Sequence, residues 1–149
     1  MPDTIRQQLI GAIDTKLKTI LTANGYYSNL GQNVDEWNLS PLDTAGGETF
    51  RLTYRDEDEG RADVTVGNQD MTLSITVLIL ASGSTSLADV REMLADVVAA
   101  MHADPTWSGL ANDTNMDGTA KLVKAEAADT AGGVELKFGI EYSVTRGAS

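Results

Sequence analysis

Cysteine is absent from this sequence of 149 residues, and only one histidine, His102, is present. Without thiols the chain can form no disulfide and no thiolate metal site, and it has no cysteine nucleophile. His102 has no serine or cysteine partner pattern of the kind that general-base catalysis uses, and its place in the last turn of a predicted helix favours an interaction with the helix dipole. We therefore predict a protein that is not an enzyme and that holds neither a cofactor nor a metal.

Basic residues are also scarce. Eleven lysines and arginines stand against 22 aspartates and glutamates, which gives a formal net charge of −11. So acidic a chain is expected to avoid free nucleic acid and anionic membrane surfaces. Three interpretations of the charge remain open, namely solubility, a surface that complements a basic partner, and mimicry of a phosphate backbone.

Long apolar runs are missing as well. The longest one, residues 77–81, is far shorter than the roughly 20 residues that cross a bilayer. Asp3 and Arg6 interrupt the N-terminus, where a secretory signal needs a continuous apolar region. We therefore expect a soluble, cytoplasmic protein, and its length and apolar content of 42% fit one domain over residues 1–149.

The most informative stretch is an apolar strand, residues 70–81, that leads into an amphipathic helix over residues 86–103. The strand first alternates apolar and hydroxyl residues and then becomes apolar on both faces, which predicts a central strand whose far end is covered on both sides. Ser86 and Asp89 have the spacing of a helix-capping pair. Pro105 ends the helix.

The other elements follow from their periodicity. A steady apolar stripe predicts a first helix over residues 3–24, with Gly25 as its terminator. The order αβββαββ predicts an α+β sandwich, in which two helices pack on one face of a mixed, mostly antiparallel sheet of four to five strands. Besides the central strand, the predicted strands span residues 34–39, 49–56, 119–129 and 134–145.

The acidic residues concentrate in residues 56–63, where five of eight side chains are carboxylic acids. We interpret this run as a loop or hairpin arm that projects into water, and we weigh contact with a basic partner against simple solvation. Trp37 reads as a core or interface anchor on a short edge strand. The candidate residues for contact with a partner or another subunit are Trp37, Tyr54, Asp56, Glu57, Asp58, Glu59 and Asp63.

The stretch from Asp113 to Gly118 matches the first half of a calcium-binding loop, with the pattern D-x-N-x-D-G. The twelfth position of such a loop needs a bidentate glutamate, and counting from Asp113 reaches Lys124 instead. We therefore predict a polar turn and no dedicated metal site, and a loose, adventitious cation site stays an open alternative.

Four segments stand in a fixed order along nearly the whole chain. They are ILTANGYYSNLG at 20–31, NVDEWNLSPL at 33–42, ADPTWSGLA at 103–111 and DTAGG at 129–133, which leads into the last strand. In these segments and their spacing the chain resembles the tail terminators of long-tailed bacteriophages, also called tail completion or minor tail protein U-like proteins. The acidic run and the Asp113–Gly118 stretch depart from that family's pattern.

The resemblance implies a structural virion protein without catalysis. Its subunits would form a hexameric ring at the head-proximal end of the tail, assembled in the host cytoplasm. The ring would cap the tail tube, stop its polymerisation and offer a docking surface to the head. The implied partners are further copies of the chain, the tail tube protein and a head completion or connector protein, without membrane contact and without nucleic-acid binding beyond the passage of DNA.

Two alternatives remain open. A head–tail connector or stopper protein would also form a ring, but it would bind the portal side. An acidic DNA-mimic inhibitor would present rows of carboxylates. The last strand and the strand over residues 34–39 are expected to leave sheet edges that a monomer must hide, and a closed ring would bury such edges through heterologous contacts.

Overall fold

The computed structural model of the chain describes residues 4–38, 46–47, 49–65, 67–82, 87–116, 121–123 and 132–145. Within these ranges two α-helices and six strands follow one another in the order αβββαβββ, so the predicted α+β class is confirmed and one strand is added. The elements are α1 (Ile5–Leu17), β1 (Val34–Glu36), β2 (Phe50–Thr65), β3 (Asn68–Ala81), α2 (Leu87–His102), β4 (Asp113–Met116), β5 (Lys121–Val123) and β6 (Gly132–Thr145).

The strands form one mixed sheet in the order β1-β2-β3-β6-β4, and β5 also pairs with β6. β1 runs parallel to β2, and every other described pair is antiparallel. β3 is central, as predicted, because it pairs with β2 on one side and β6 on the other. The last strand was expected to leave an open edge, but β4 pairs with residues 138–141 and β5 with residues 133–135 on the second side of β6, so the expectation is wrong over those residues. The edges are β1 on one side and the β4–β5 side on the other.

The core lies on the side of the sheet that faces both helices. Alternate residues of β3 and β6 are buried there together with the apolar stripes of α1 and α2. Burial of each large apolar side chain contributes roughly 1.5–3 kcal/mol, and this burial selects the register of the strands. On the other face Leu78 and Leu80 are half-buried. The core side chains include Leu9, Ile13, Leu17, Val90, Val97, Met101, Leu73, Ile75, Val77, Leu136, Phe138 and Ile140.

Helix α1 is shorter than predicted. It ends at Leu17, because the Thr19 hydroxyl donates to the Lys16 carbonyl at 2.6 Å and competes with helix continuation. Beyond this break Ile20 turns into the core, and its carbonyl accepts the Gly31 N–H at 2.8 Å. Gly25 does take the left-handed conformation, with φ +90°, but it ends a short 3₁₀ turn and not α1.

The acidic run is not a loop but lies on one arm of the hairpin that β2 forms with β3, so the hairpin interpretation is confirmed and the loop interpretation is wrong. β2 continues through it to Thr65, paired with β3 throughout except for two irregularities. One of these is a bulge at Glu57, because Asp56 pairs with Ile75 and Asp58 already pairs with the next residue along β3. A bulge shifts the alternation by one residue, so Asp56 and Glu59 both face α1. A charged run is thus tolerated in a strand because its members divide between the two faces.

The Asp113–Gly118 stretch is not a polar turn in its described part. Residues Asp113–Met116 form β4 and pair with β6. Side chains alternate between faces along a strand, so Thr114 is buried while its neighbours are not. The described part of the stretch is extended and does not form the turn of a calcium-binding loop. Asp117 and Gly118 lie outside the described residues, as do Ser86, Leu39 and the greater part of the predicted strand over residues 119–129.

The buried carboxylate of Asp96, which the sequence does not reveal, joins α2 to the segment that follows α1. Asp96 in α2 is 2% exposed, and it accepts the backbone N–H groups of Tyr27 at 3.0 Å and Ser28 at 2.9 Å. The Ser28 hydroxyl donates to it as well, at 2.6 Å. Asp96 therefore fixes the segment after α1 against α2 and leaves the Tyr27 side chain in solvent.

Two glycine substitutions test the close approach after α1. Gly31→Ala should lower the free energy of unfolding by about 1–3 kcal/mol, because a Cβ there would lie 2.5 Å from the Lys18 carbonyl oxygen. Gly11→Ala is the matched control inside α1, where a Cβ meets open space, and it should raise the free energy by about 0.5–1 kcal/mol. Urea unfolding measures both, and equal effects of the two variants would contradict the close approach.

Candidate interaction site around Trp37

Trp37 follows β1 and stands out by its exposure. Its exposed fraction is 49%, and among the described residues only Tyr27, at 70%, is a large hydrophobic residue that is also exposed. The backbone of Trp37 has φ +56°, a left-handed conformation that costs a non-glycine residue roughly 1–2 kcal/mol. The surrounding structure therefore holds this residue in place.

Two hydrogen bonds fix Trp37. Its backbone N–H donates to the Tyr54 carbonyl at 2.9 Å, and its indole Nε1–H donates to Asp56 Oδ1 at 3.2 Å. A tryptophan held at the surface in one orientation loses little side-chain freedom when a partner binds. These bonds therefore preorganise the indole for contact.

Asp56 is itself held by Arg6 of α1. Arg6 Nε lies 2.7 Å from Asp56 Oδ2, and an outer nitrogen of the same guanidinium lies 4.0 Å from Glu59. The Tyr142 hydroxyl donates to Glu59. Burial by itself lowers the pKa of Arg6, but the hydrogen bond and the charge of Asp56 outweigh burial, so the pKa of Arg6 is raised above its ordinary value. We call these five residues the Trp37 cluster: Trp37, Arg6, Asp56, Glu59 and Tyr142.

Tyr54 lies below the cluster and not at the surface. It is 2% exposed, and its hydroxyl donates to Asp14 at 2.7 Å. Burial, and next the hydrogen bond to Asp14, raise the pKa of the Tyr54 hydroxyl. Lys18 reaches the second oxygen of Asp14 at 2.8 Å. Tyr54 thus supports β1 and α1 from inside the fold, and the structure does not offer its ring to a partner.

The structure separates the predicted acidic contact residues into two sets. Asp56 and Glu59 belong to the Trp37 cluster, and their side chains are only 18% and 13% exposed. Glu57 and Asp58 are exposed, and Glu57 pairs with Arg55, whose hydrogen bond lowers the pKa of Glu57. The side chain of Asp63 lies outside the described residues. Contact with a partner stays a prediction for these residues and for Trp37.

Sequence reasoning missed Arg6 and Tyr142 as members of the Trp37 cluster. Arg6 lies 50 residues from Asp56, and Tyr142 lies 83 residues from Glu59, so no local spacing connects them. The available signal was weak, since it consisted of one arginine beside the apolar stripe of the first helix and one tyrosine within a regular strand.

The charges around Trp37 are largely paired. Asp56 pairs with Arg6 and Asp14 with Lys18. Arg61 lies on the same face of β2 as Glu59 and acts on the charge of Tyr142. Glu36, directly before Trp37 on β1, is exposed.

Within the described parts of the chain, no three or more histidine, aspartate or glutamate side chains gather as metal ligands would. None of the helices described there has the length and apolar character needed to cross a membrane. His102 is exposed in the last turn of α2, as predicted, and its ring meets Phe138 edge-on with centroids 5.9 Å apart.

Comparison with known proteins finds similarity among solved structures. No protein-family model matches the chain, and no curated protein matches it. A chain in the virion of a native gene transfer agent particle is similar in structure. The match covers 91% of this chain and 97% of that chain, with 18% sequence identity and a TM-score of 0.47. A likeness of this size carries no functional argument.

The acid stability of the protein tests the contacts of Asp14. Burial raises the pKa of Asp14, but hydrogen bonds from Lys18 and Tyr54 outweigh this and hold the pKa below its ordinary value of 3.8. A lowered pKa in the folded state stabilises the fold above the unfolded-state pKa, and the stabilisation is lost as the pH falls through the folded-state pKa. The stability difference between wild type and Asp14→Asn should therefore be constant above about pH 5 and shrink below pH 4.

Urea unfolding over this pH range measures the difference. Tyr54→Phe is the control, because it removes one of the two donors to Asp14. When Asp14→Asn is added to the Tyr54→Phe variant, the pH-dependent part of the stability difference should be smaller than in the wild-type background. A difference that stays constant down to pH 2 would contradict the assigned contacts.

Proposed function

We propose that this chain is a structural subunit of a phage-like virion. Six copies form a ring at the head-proximal end of the tail, where the ring caps the tail tube, ends its polymerisation and provides the surface on which the head docks. The four segments that resemble tail terminators support this proposal. The structural observation that carries it is Trp37, an aromatic side chain held at the surface in a costly backbone conformation, as expected of a protein contact site.

The arrangement of the sheet supports assembly into a ring. β1 and the β4–β5 side form its two opposite edges, and exposed strand edges favour pairing with other chains. The two edges differ in sequence and length, so contact between them joins unlike surfaces of neighbouring copies. Such heterologous contacts close into a ring when the rotation per subunit divides a full turn.

The remaining partners in this proposal are the tail tube protein and a head completion or connector protein. Glu57 and Asp58 are exposed on β2, and in this proposal they meet a basic rim on one of those partners. Asp56 and Glu59 do not serve this purpose, because their side chains are largely buried in the cluster.

The mass of the purified protein tests the ring. We expect a species of about six times the chain mass of 15.8 kDa in native mass spectrometry and in light scattering after size exclusion, because heterologous contacts close only at a defined number. A monomer or dimer that persists at high concentration would contradict the ring and would favour the DNA-mimic alternative.

Tail tubes growing in the presence of the protein test the capping role. The wild-type ring should stop elongation, and Glu57→Ser/Asp58→Ser should bind tube ends more weakly at moderate salt, because two exposed charges are removed. Glu92→Ser/Glu141→Ser removes two other exposed carboxylates and is the matched control. A ring that binds portals and leaves tube growth unchanged would identify a connector. Equal losses in both double variants would remove the acidic pair from the contact.

A further inference from the structure

Arg6 offers one guanidinium to two carboxylates. Its Nε lies 2.7 Å from Asp56 Oδ2, whereas an outer nitrogen lies 4.0 Å from Glu59. The side chains of Asp56 and Glu59 are only 18% and 13% exposed, and a carboxylate so far from water needs hydrogen-bond donors. Because the cation is within reach of both acceptors, a further contact must decide which of the two it serves.

The Tyr142 hydroxyl supplies Glu59 with a donor of its own. Tyr142 is fully buried in β6, and burial, followed by the hydrogen bond to Glu59, raises the pKa of the hydroxyl. The hydroxyl is therefore protonated at neutral pH and can donate. Because Glu59 is satisfied from this side, Arg6 is left to Asp56. The other oxygen of Asp56 accepts the Trp37 indole N–H at 3.2 Å.

We propose that Tyr142 is a positioning residue for Trp37 and that it acts through Arg6. The hydroxyl occupies Glu59 and thereby leaves the guanidinium to Asp56, which holds the indole. β2 and β3 separate β1 from β6, which corresponds to roughly 14 Å at the usual strand spacing. The inference rests on the proposed role of Trp37 as a contact residue and adds a distant residue that sets its orientation.

Arg61 is a second cation near Glu59. It lies two residues further along β2 and on the same face. Its side chain is exposed and donates to Gln69 at 3.4 Å, whereas the guanidinium of Arg6 already lies within 4.0 Å of Glu59. When the tyrosine hydroxyl is removed, we therefore expect Arg6, and not Arg61, to turn to Glu59.

Fluorine NMR of the full chain labelled with 5-fluorotryptophan reports the surroundings of the indole. The sequence has two tryptophans, and Trp37→Phe assigns their signals. Trp107 is 5% exposed, and its indole donates to Thr114 at 2.8 Å, so its signal is the reference for an intact core. Arg6→Gln removes the cation from Asp56, and the resulting shift of the Trp37 signal calibrates the other variants.

Removal of the tyrosine hydroxyl should act in the same direction. Tyr142→Phe keeps the buried ring but leaves Glu59 to compete for the guanidinium. The Trp37 signal should therefore move in the direction set by Arg6→Gln, by at most the same shift. Adding Glu59→Gln should return the signal toward its wild-type position, because a neutral amide competes less well for a cation. Glu59→Gln by itself should leave the signal in place.

A double-mutant cycle separates the role of Arg6 from a general loosening of the fold. In the Arg6→Gln background, Tyr142→Phe should add no further shift to the Trp37 signal, because the cation through which it acts is gone. Tyr142→Phe should still move the signal in an Arg61→Gln background. Tyr27→Phe removes an exposed hydroxyl elsewhere and should leave the signal in place.

Four results would overturn the inference. They are a Trp37 signal that ignores Tyr142→Phe, a shift that Glu59→Gln does not reverse, an equal shift by Tyr142→Phe with and without Arg6, and a shift of the Trp107 signal alongside that of Trp37. The native mass and the tube assay are measured separately. A missing ring with the expected shifts therefore counts against the proposed function alone, and an intact ring with an unmoved Trp37 signal counts against this inference alone.

Discussion

The ion pair between Arg6 and Asp56 connects the parts of this molecule that matter for contact. It joins the first turn of α1 to the middle of β2, and the same carboxylate holds the indole of Trp37. A partly buried charge is costly without a partner. Without Arg6, the acidic stretch of β2 would place Asp56 and Glu59 against the helices uncompensated. The position of α1, the course of β2 and the orientation of Trp37 therefore depend on one another.

The bulge at Glu57 makes this arrangement possible. In a regular strand Asp56 and Glu59 would point to opposite faces, since the alternation has period two. The extra residue brings both to the side of α1, where Arg6 and Tyr142 meet them. Glu57 and Asp58 then turn to the other face, which is open to solvent at these positions. One irregular residue thus divides an acidic run into a structural half and an exposed half.

Most of the fold was predictable because its signals are local. The apolar stripe of α1, the strand pattern of β3 and the alternation of β6 each appear within one segment, and burial against one face confirms all three. The errors have particular causes. Thr19 ended a helix whose apolar stripe continued, and backbone pairing with β6 made a strand of a stretch, Asp113–Met116, whose composition is that of a turn.

The candidate site was predictable only in part. Trp37 was identified from its residue type, because tryptophan on a short edge strand suggests an anchor. Tyr54 was also named as a contact residue but lies in the core, on the face that the alternation of Phe50, Leu52 and Tyr54 with polar residues marks as apolar. Arg6 and Tyr142 were missed, because they lie 50 and 83 residues along the sequence from the carboxylates that they contact.

The amino-acid sequence by itself determined the class of the fold, the central strand and the acidic character of the surface, because periodicity and composition act over short distances. Only the tertiary structure decided which carboxylates are buried, which are exposed and which tryptophan faces solvent. Those outcomes depend on strand register and on the bulge at Glu57 in β2, and these follow from packing between segments that are distant along the chain.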